Sequence, residues 1–136
     1  MVSNLEDLQR SVWSIGEKLG APKSMLTVRE CSPEDGSPHV EFKDDGFDWV
    51  SSERGYDIFR KHTRSLDELL FWIVSDVAFN MAVEYELHHR ISGMDSRRII
   101  FEKYILELNK INAEWAEKAS GQLDLILLSN PFSSAS

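Results

Sequence analysis

The most restrictive feature of this sequence is an almost uninterrupted apolar stretch between Leu69 and Val83. Within it the only polar residues are Ser75, Asp76 and Asn80. Just before it, Ser65 and Glu68 stand three residues apart, the spacing of a capping box that starts a helix. A helix that is apolar on nearly every side has to be buried. The sequence therefore predicts a central, mostly buried helix that runs to about Arg90.

Three further segments have apolar residues at helical spacing between a capping residue and a helix-breaking residue. The first begins with a second capping box, Ser3–Glu6. The other two begin at the caps Asp95 and Asn112 and are predicted to end near Leu108 and Asn130. Two of these helices follow the central one, and one precedes it.

Four short alternating stretches lie between the first helix and the apolar one. They are Met25–Cys31, His39–Lys43, Phe47–Ser52 and Tyr56–Lys61. Each link between them ends in glycine, as hairpin turns do. The sequence predicts a four-stranded antiparallel meander whose covered face includes Val40, Phe42, Phe47 and Trp49. The expected fold is α+β, a single domain over residues 1–136: an N-terminal helix, the sheet, then three helices packed on one sheet face.

Negative charge is concentrated on the predicted sheet. Nine acids and two bases lie between Glu30 and Asp57, in a chain whose net charge is −8. Such a field repels nucleic acid and anionic membranes and attracts a basic partner, although it can also simply keep a surface solvated. The candidate partner-binding residues, with Trp49 as an aromatic anchor, are Asp44, Asp45, Asp48, Trp49, Glu53 and Asp57.

A polar seam runs along the apolar helix at every fourth residue: Asp76, Asn80, Glu84 and His88. It could receive a cation or be the wet edge of a buried helix, with Glu84 and His88 as an ion pair. We take Glu84 and His88 as a second candidate surface. Glu86-x-x-His89 resembles a metal motif, but a di-metal bundle needs two such motifs. We expect no metal and no cofactor.

Other sequence signals point away from catalysis, secretion and membranes. The nucleophile-elbow and phosphate-loop patterns are absent from the sequence, and the lone Cys31 has no partner for an internal disulfide. The longest apolar run is six residues, far below the roughly twenty that span a bilayer. The first twenty residues contain acids where a signal sequence is basic and then apolar. We expect a cytoplasmic protein.

The arginine pair Arg97 and Arg98 lies in the first turn of a predicted helix, where cations oppose the helix dipole. We expect acids to compensate for this placement. Asp95 and Glu102 are one option. More distant acids, such as Glu84 or Glu86, are the other.

Five pieces of sequence, in this order, resemble the bacterial immunity protein 63 family. They are SERG (52–55), SLDELLFWIVSDVAF (65–79), YELHHRISGMDSRRIIFEK (85–103), NAEWAEK (112–118) and NPF (130–132). The resemblance covers about residues 50–132. It implies an α+β immunity protein of a polymorphic toxin system, related to contact-dependent growth inhibition. Such a protein has no catalytic role and blocks the C-terminal domain of a secreted toxin encoded beside it.

The residues and the resemblance lead to one main hypothesis. It is a non-enzymatic protein whose acidic surface docks on a cognate basic toxin domain, a nuclease with a phosphate-gripping cleft. Two alternatives stay open. One is a small metal-dependent enzyme that uses the Glu84–His89 region. The other is an acidic imitator of nucleic acid that inhibits several unrelated nucleases.

Overall fold

A computed structural model describes residues 3–133 of the chain. The elements are α1 (Leu5–Gly16), a 3₁₀ segment (Glu17–Leu19), a second one (Lys23–Leu26), β1 (Asp35–Lys43), β2 (Gly46–Glu53), β3 (Tyr56–Thr63), α2 (Leu66–His88), α3 (Ser96–Asn109) and α4 (Ala113–Ser129). The strands form one antiparallel sheet in the order β1-β2-β3. The predicted α+β class is confirmed, but the sheet has three strands where four were predicted.

The described chain forms two compact units. The first contains the residues up to Glu17 together with Pro22–Val74, and so α1, the sheet and the start of α2. The second contains Lys18–Ala21 and the residues from Ser75 onward, and so the rest of α2 with α3 and α4. The single domain, and the packing of three helices on one sheet face, stay predictions.

The predicted strand Met25–Cys31 is wrong for an identifiable reason. The side chain of Gln9 replaces a neighbouring strand: its amide donates to the Leu26 carbonyl at 2.7 Å and accepts from the Val28 amide at 2.7 Å. Beyond the 3₁₀ segment, the Val40 amide donates to the Arg29 carbonyl at 2.8 Å. Leu26 and Val28 are buried all the same. The alternation of apolar residues therefore predicted the burial of this segment correctly, but it predicted the wrong backbone conformation.

A two-residue turn of Asp44 and Asp45 joins β1 to β2. Lys43 and Gly46 are paired across it. Gly46 has φ of 150°, and a Cβ there would overlap the Thr63 carbonyl oxygen of the strand end that lies beside it. Only glycine allows this close approach of two backbones. The turn thus depends on Gly46 and leaves its two aspartates on the outside.

The register gives the sheet one apolar and one charged face. Val40 lies opposite Trp49, and Phe42 lies opposite Phe47 with ring centroids 5.8 Å apart. These four residues lie on one face, as predicted. All residues of the central strand from Phe47 to Ser52 are buried. A three-stranded sheet whose central strand is covered on both faces needs its polar side chains paired there.

The helix starts match the sequence closely. The side chains of Ser65, Asp95 and Asn112 each accept a backbone amide from the following turn, as predicted. The cap of α1 is Asn4, one residue beyond the predicted serine, and its side chain accepts from the Asp7 amide at 2.9 Å.

The apolar helix α2 is mostly buried, as predicted. Between Leu66 and Val83 the exposed residues are Asp67, Asp76 and Asn80. The helix ends at His88, two residues before the predicted end. None of the helices within residues 3–133 combines the length and the apolar character that a bilayer crossing requires.

Candidate functional site

Three carboxylates surround Arg60 on the charged face of the sheet. The guanidinium donates to Asp48 at 2.6 Å, to Asp57 at 2.9 Å and to Glu41 at 3.0 Å. Glu41 and Asp48 are cross-strand partners on β1 and β2, and Arg60 reaches them from the far edge strand. These four residues are called the Arg60 cluster. They place one cation among three anions, a strongly charge-assisted arrangement.

The Arg60 cluster changes the proton affinity of all its members. Hydrogen bonds from Arg60 hold the pKa of Glu41 and that of Asp57 below their usual values. Burial by itself raises the pKa of Asp48, but bonds from His62 and Arg60 outweigh it, and the net shift is downward. The same three carboxylates raise the pKa of Arg60. Each carboxylate of the cluster therefore has a cationic partner within the chain.

The predicted partner-binding residues fall into two groups. Asp48 and Trp49 are buried, each with only 7% of its surface exposed. Asp57 is exposed, but its carboxylate is bound by Arg60, which donates a hydrogen bond to it at 2.9 Å. The other exposed members are Asp44, Asp45 and Glu53. The sequence predicted that the five acids of this set are hydrated, and burial now separates Asp48 from the others. Their role in binding stays a prediction.

The exposed carboxylates occupy the two ends of β2. Asp44 and Asp45 are in the turn before this strand, and Glu53 is its last residue. Eight residues of strand span about 24 Å. Asp45 lies 3.5 Å from His62, whereas Asp44 and Glu53 form no ion pair with any residue in the described part of the chain. A partner of ordinary interface size can contact both ends of the strand together.

The second turn of the sheet is held rigidly. Arg54 and Gly55 have φ of 54° and 83°, as a type I′ hairpin requires. The Gly55 amide donates to the Glu34 carboxylate at 2.7 Å. Ser52 donates to Asp57 at 2.9 Å on the other side of the turn. The S-E-R-G sequence is thus a turn whose backbone is pinned, and it presents Glu53 from an ordered position.

The polar residues Glu84 and His88 lie at the exposed end of α2. Glu84 and His88 are both exposed and lie one helical turn from each other. The His88 Nε2 atom is 3.2 Å from the Glu84 carboxylate. Asp76 and Asn80 are exposed as well, so the polar seam is a solvent-facing edge of the helix. His89 bonds the carbonyl of its own helix at residue 85. Within residues 3–133, no three His, Cys, Asp or Glu side chains are grouped as metal ligands.

The buried acid of this helix end has a partner that sequence reasoning missed. Glu86 is 3% exposed, and Arg90 binds both of its oxygens at 3.0 and 3.1 Å. Hydrogen bonds from Arg90 lower the pKa of Glu86. The suggested pairing of Arg97 or Arg98 with Glu86 is therefore wrong. Glu86 and Arg90 are four residues apart, and this spacing could have indicated their ion pair from the sequence.

Arg97 instead fastens the residues after α4. It pairs with Asp95 at 2.9 Å and donates to the carbonyls of Asn130 and Pro131 at 2.8 Å each. Asp95 also accepts from the Ser133 amide at 2.8 Å. The alternative in which Asp95 compensates Arg97 is confirmed. The hydrogen bonds that Arg97 donates hold the pKa of Asp95 far below its usual value.

A groove along α3 and α4 was not predicted. It has a volume of about 790 Å³, and its walls include Ile99, Glu102 and Leu106 of α3 with Asp124 and Leu127 of α4. Leu106 is a large apolar residue that remains exposed on α3. Its position away from the buried residues of this helix was the signal that could have indicated the groove.

One comparison with known proteins gives a match. A family model described as immunity protein 63 matches residues 44–124, more than half of the chain. No curated protein and no solved structure matches. The matched range runs from the first turn of the sheet into α4, and it contains the end of α2 and every member of the Arg60 cluster except Glu41.

Proposed function

The chain belongs to the immunity protein 63 family, and we propose that it binds and neutralises one cognate secreted toxin domain by direct contact. The proposed target is a nuclease domain with a basic, phosphate-binding cleft, and the proposed place of action is the cytoplasm. No nucleic acid, membrane or cofactor takes part in this proposal. The protein acts by occupying the toxin and carries out no reaction itself.

The observation that supports this proposal is the uncompensated charge at the two ends of β2. The carboxylates of the Arg60 cluster are already hydrogen-bonded to Arg60, so they are less free to pair with a partner's cations. Asp44 and Glu53 have no ion pair within residues 3–133, and Asp45 has only a histidine 3.5 Å away. These three carboxylates are available to a basic cleft. Long-range attraction of this kind raises association rates more than it raises affinity.

The experiment neutralises only the available charges. The triple variant Asp44→Asn, Asp45→Asn, Glu53→Gln keeps side-chain size and leaves the Arg60 cluster intact. A unit charge about 8 Å from an opposite one in water contributes about 0.5 kcal/mol. Three such charges correspond to about tenfold in rate. We expect association with the toxin domain encoded beside this gene to slow by about tenfold at low salt, and the difference to vanish near 1 M salt.

The matched control removes three exposed carboxylates outside the two turns. It is the variant Glu17→Gln, Glu30→Gln, Glu114→Gln, which changes the net charge by the same amount. Equal slowing by the two triple variants would mean that net charge, rather than these turns, drives association. An unchanged rate and salt dependence in the turn variant would remove the turns from the binding surface.

The alternative hypothesis, in which the protein imitates nucleic acid, predicts a different outcome. A protein that presents charge alone should inhibit several unrelated basic nucleases, whereas an immunity protein should protect against one. Growth rescue by this chain against its neighbouring toxin and against unrelated nuclease toxins separates the two. Rescue from all of them would replace the cognate-partner proposal.

A further inference from the structure

The groove in the second unit is long enough to hold a helix. The hollow of about 790 Å³ shares Ile105, Ser120 and Asp124 with a second hollow of about 530 Å³. Together they form one continuous depression beside α4. Its 17 residues give that helix a length of about 25 Å. This length accommodates three to four turns of a bound helix.

The walls of the groove are apolar and exposed. Ile91, Met94 and Leu106 line it with 51%, 41% and 54% of their surfaces in contact with solvent. Large apolar side chains that share one depression, with polar residues at its rim, are typical of a binding surface. A helix laid in such a groove would bury these side chains through its own apolar face.

Gly121 is not explained by the packing of this chain. It lies in the interior of α4, where glycine is the least favourable residue after proline. A Cβ at this position would meet no atom within 4 Å. Its groove neighbours on α4 are the small residues Ala113, Ala116 and Ser120 and the acids Glu117 and Asp124. A glycine with open space above it permits close approach by a backbone from outside the chain.

The groove also has a defined charge. Glu102 and Asp124 line it, and neither has an ion-pair partner in the part of the chain that the structure describes. Glu117 lines the second hollow and is likewise without an ion-pair partner there. Lys103 binds Glu107 at 2.8 Å, so Arg98, 4.3 Å from the centre of the neutral Phe132 ring, is the cation that faces these three acids. The uncompensated charge is therefore negative, and a bound segment should supply a base on each side.

We propose that this groove receives an amphipathic helix of the cognate toxin domain, with an apolar face flanked by lysine or arginine. The proposal rests on the proposed function and adds a second, mainly apolar contact to it. The turns of the sheet would govern the rate of association. The groove would govern how long the complex lasts.

The test uses variants that fill or weaken the groove without loosening the fold. Gly121→Leu adds a good helix former into open space, so the melting temperature should stay unchanged or rise by a few degrees. Leu106→Asn removes an apolar wall residue. Leu125→Asn is its matched control, because Leu125 is an equally exposed leucine that does not line the groove. The probe is the inactivated toxin domain encoded beside this gene, in calorimetric titration.

We expect Gly121→Leu to weaken the complex at least tenfold, Leu106→Asn to weaken it several-fold, and Leu125→Asn to leave it unchanged. Tight binding by Gly121→Leu, with wild-type affinity, would overturn the groove proposal and leave the proposed function standing. Absence of any complex with the wild-type chain would overturn both. Self-association of the chain that Gly121→Leu abolishes would assign the groove to a second copy, and so would also overturn the proposal.

Discussion

Replacing Arg60 by glutamine should destabilise the protein strongly at neutral pH. The change removes the cation from the Arg60 cluster and leaves three carboxylates facing one another. The Asp48 side chain is only 9% exposed, and a hydrogen bond to a charged partner in such a place contributes about 1.5–3 kcal/mol. Glu41 is more exposed, at 28%, and adds less than about 1 kcal/mol. A loss of about 3 kcal/mol is expected.

The dependence on pH identifies the cause of this loss. In the folded wild-type protein the pKa values of Glu41, Asp48 and Asp57 are lowered. Their stabilisation is therefore complete above the unfolded pKa values of about 4, and it is lost as the pH falls toward the folded values. Without Arg60 this contribution is missing. The difference between variant and wild type should be largest at pH 7 and shrink below about pH 5.

Urea denaturation followed by tryptophan fluorescence at pH 7 and pH 3.5 measures both quantities. For a chain of this length, about 3 kcal/mol corresponds to a fall of roughly 10 °C in melting temperature. The matched control is Arg64→Gln. Arg64 is an exposed arginine next to β3 and has no ion pair within residues 3–133. A deficit that is equal at both pH values, or below about 1 kcal/mol at pH 7, would refute the electrostatic reasoning.

Two further substitutions probe the turn and the C-terminal residues. Gly46→Ala should lower the free energy of unfolding by about 2 kcal/mol or more, because the new Cβ would overlap the Thr63 carbonyl. Gly55→Ala should lower it by only about 1 kcal/mol, the strain of a left-handed backbone. Equal melting temperatures of the two variants would contradict this. Arg97→Gln should speed hydrogen exchange at the Ser133 amide, because the carbonyls of Asn130 and Pro131 lose their donor. Arg64→Gln, the exposed arginine used as a control above, should not, and equal exchange in both would show that Arg97 does not hold this segment.

Local signals in the sequence predicted the helices well. A capping side chain acts within one turn, so Ser65, Asp95 and Asn112 could be recognised without knowledge of the fold. The hairpins were equally visible, because Asp-Asp-Gly and Glu-Arg-Gly determine their own backbone geometry. The apolar stretch of α2 was long enough to predict burial on its own.

The errors concern interactions between residues that are distant in sequence. The segment after Pro22 alternates in polarity as a strand does. However, the side chain of Gln9 takes the hydrogen bonds that a partner strand would make with Leu26 and Val28, which lie 17 and 19 residues later in the chain. Likewise, the acids of the sheet looked alike in the sequence. Only the register shows that Arg60 compensates Asp48 while Asp44 stays in solvent. The groove beside α4 depends on which helix faces stay uncovered, which periodicity does not report.

The division of work in the first turn has an evolutionary consequence. Gly46 alone supplies the geometry that this hairpin needs, and the side chains of Asp44 and Asp45 touch little of the protein that carries them. Mutations at those two positions can therefore accumulate without a folding penalty. When the surface of a binding partner changes, this protein can adapt to it through single substitutions at those two positions. The strands beneath stay constrained by the fold.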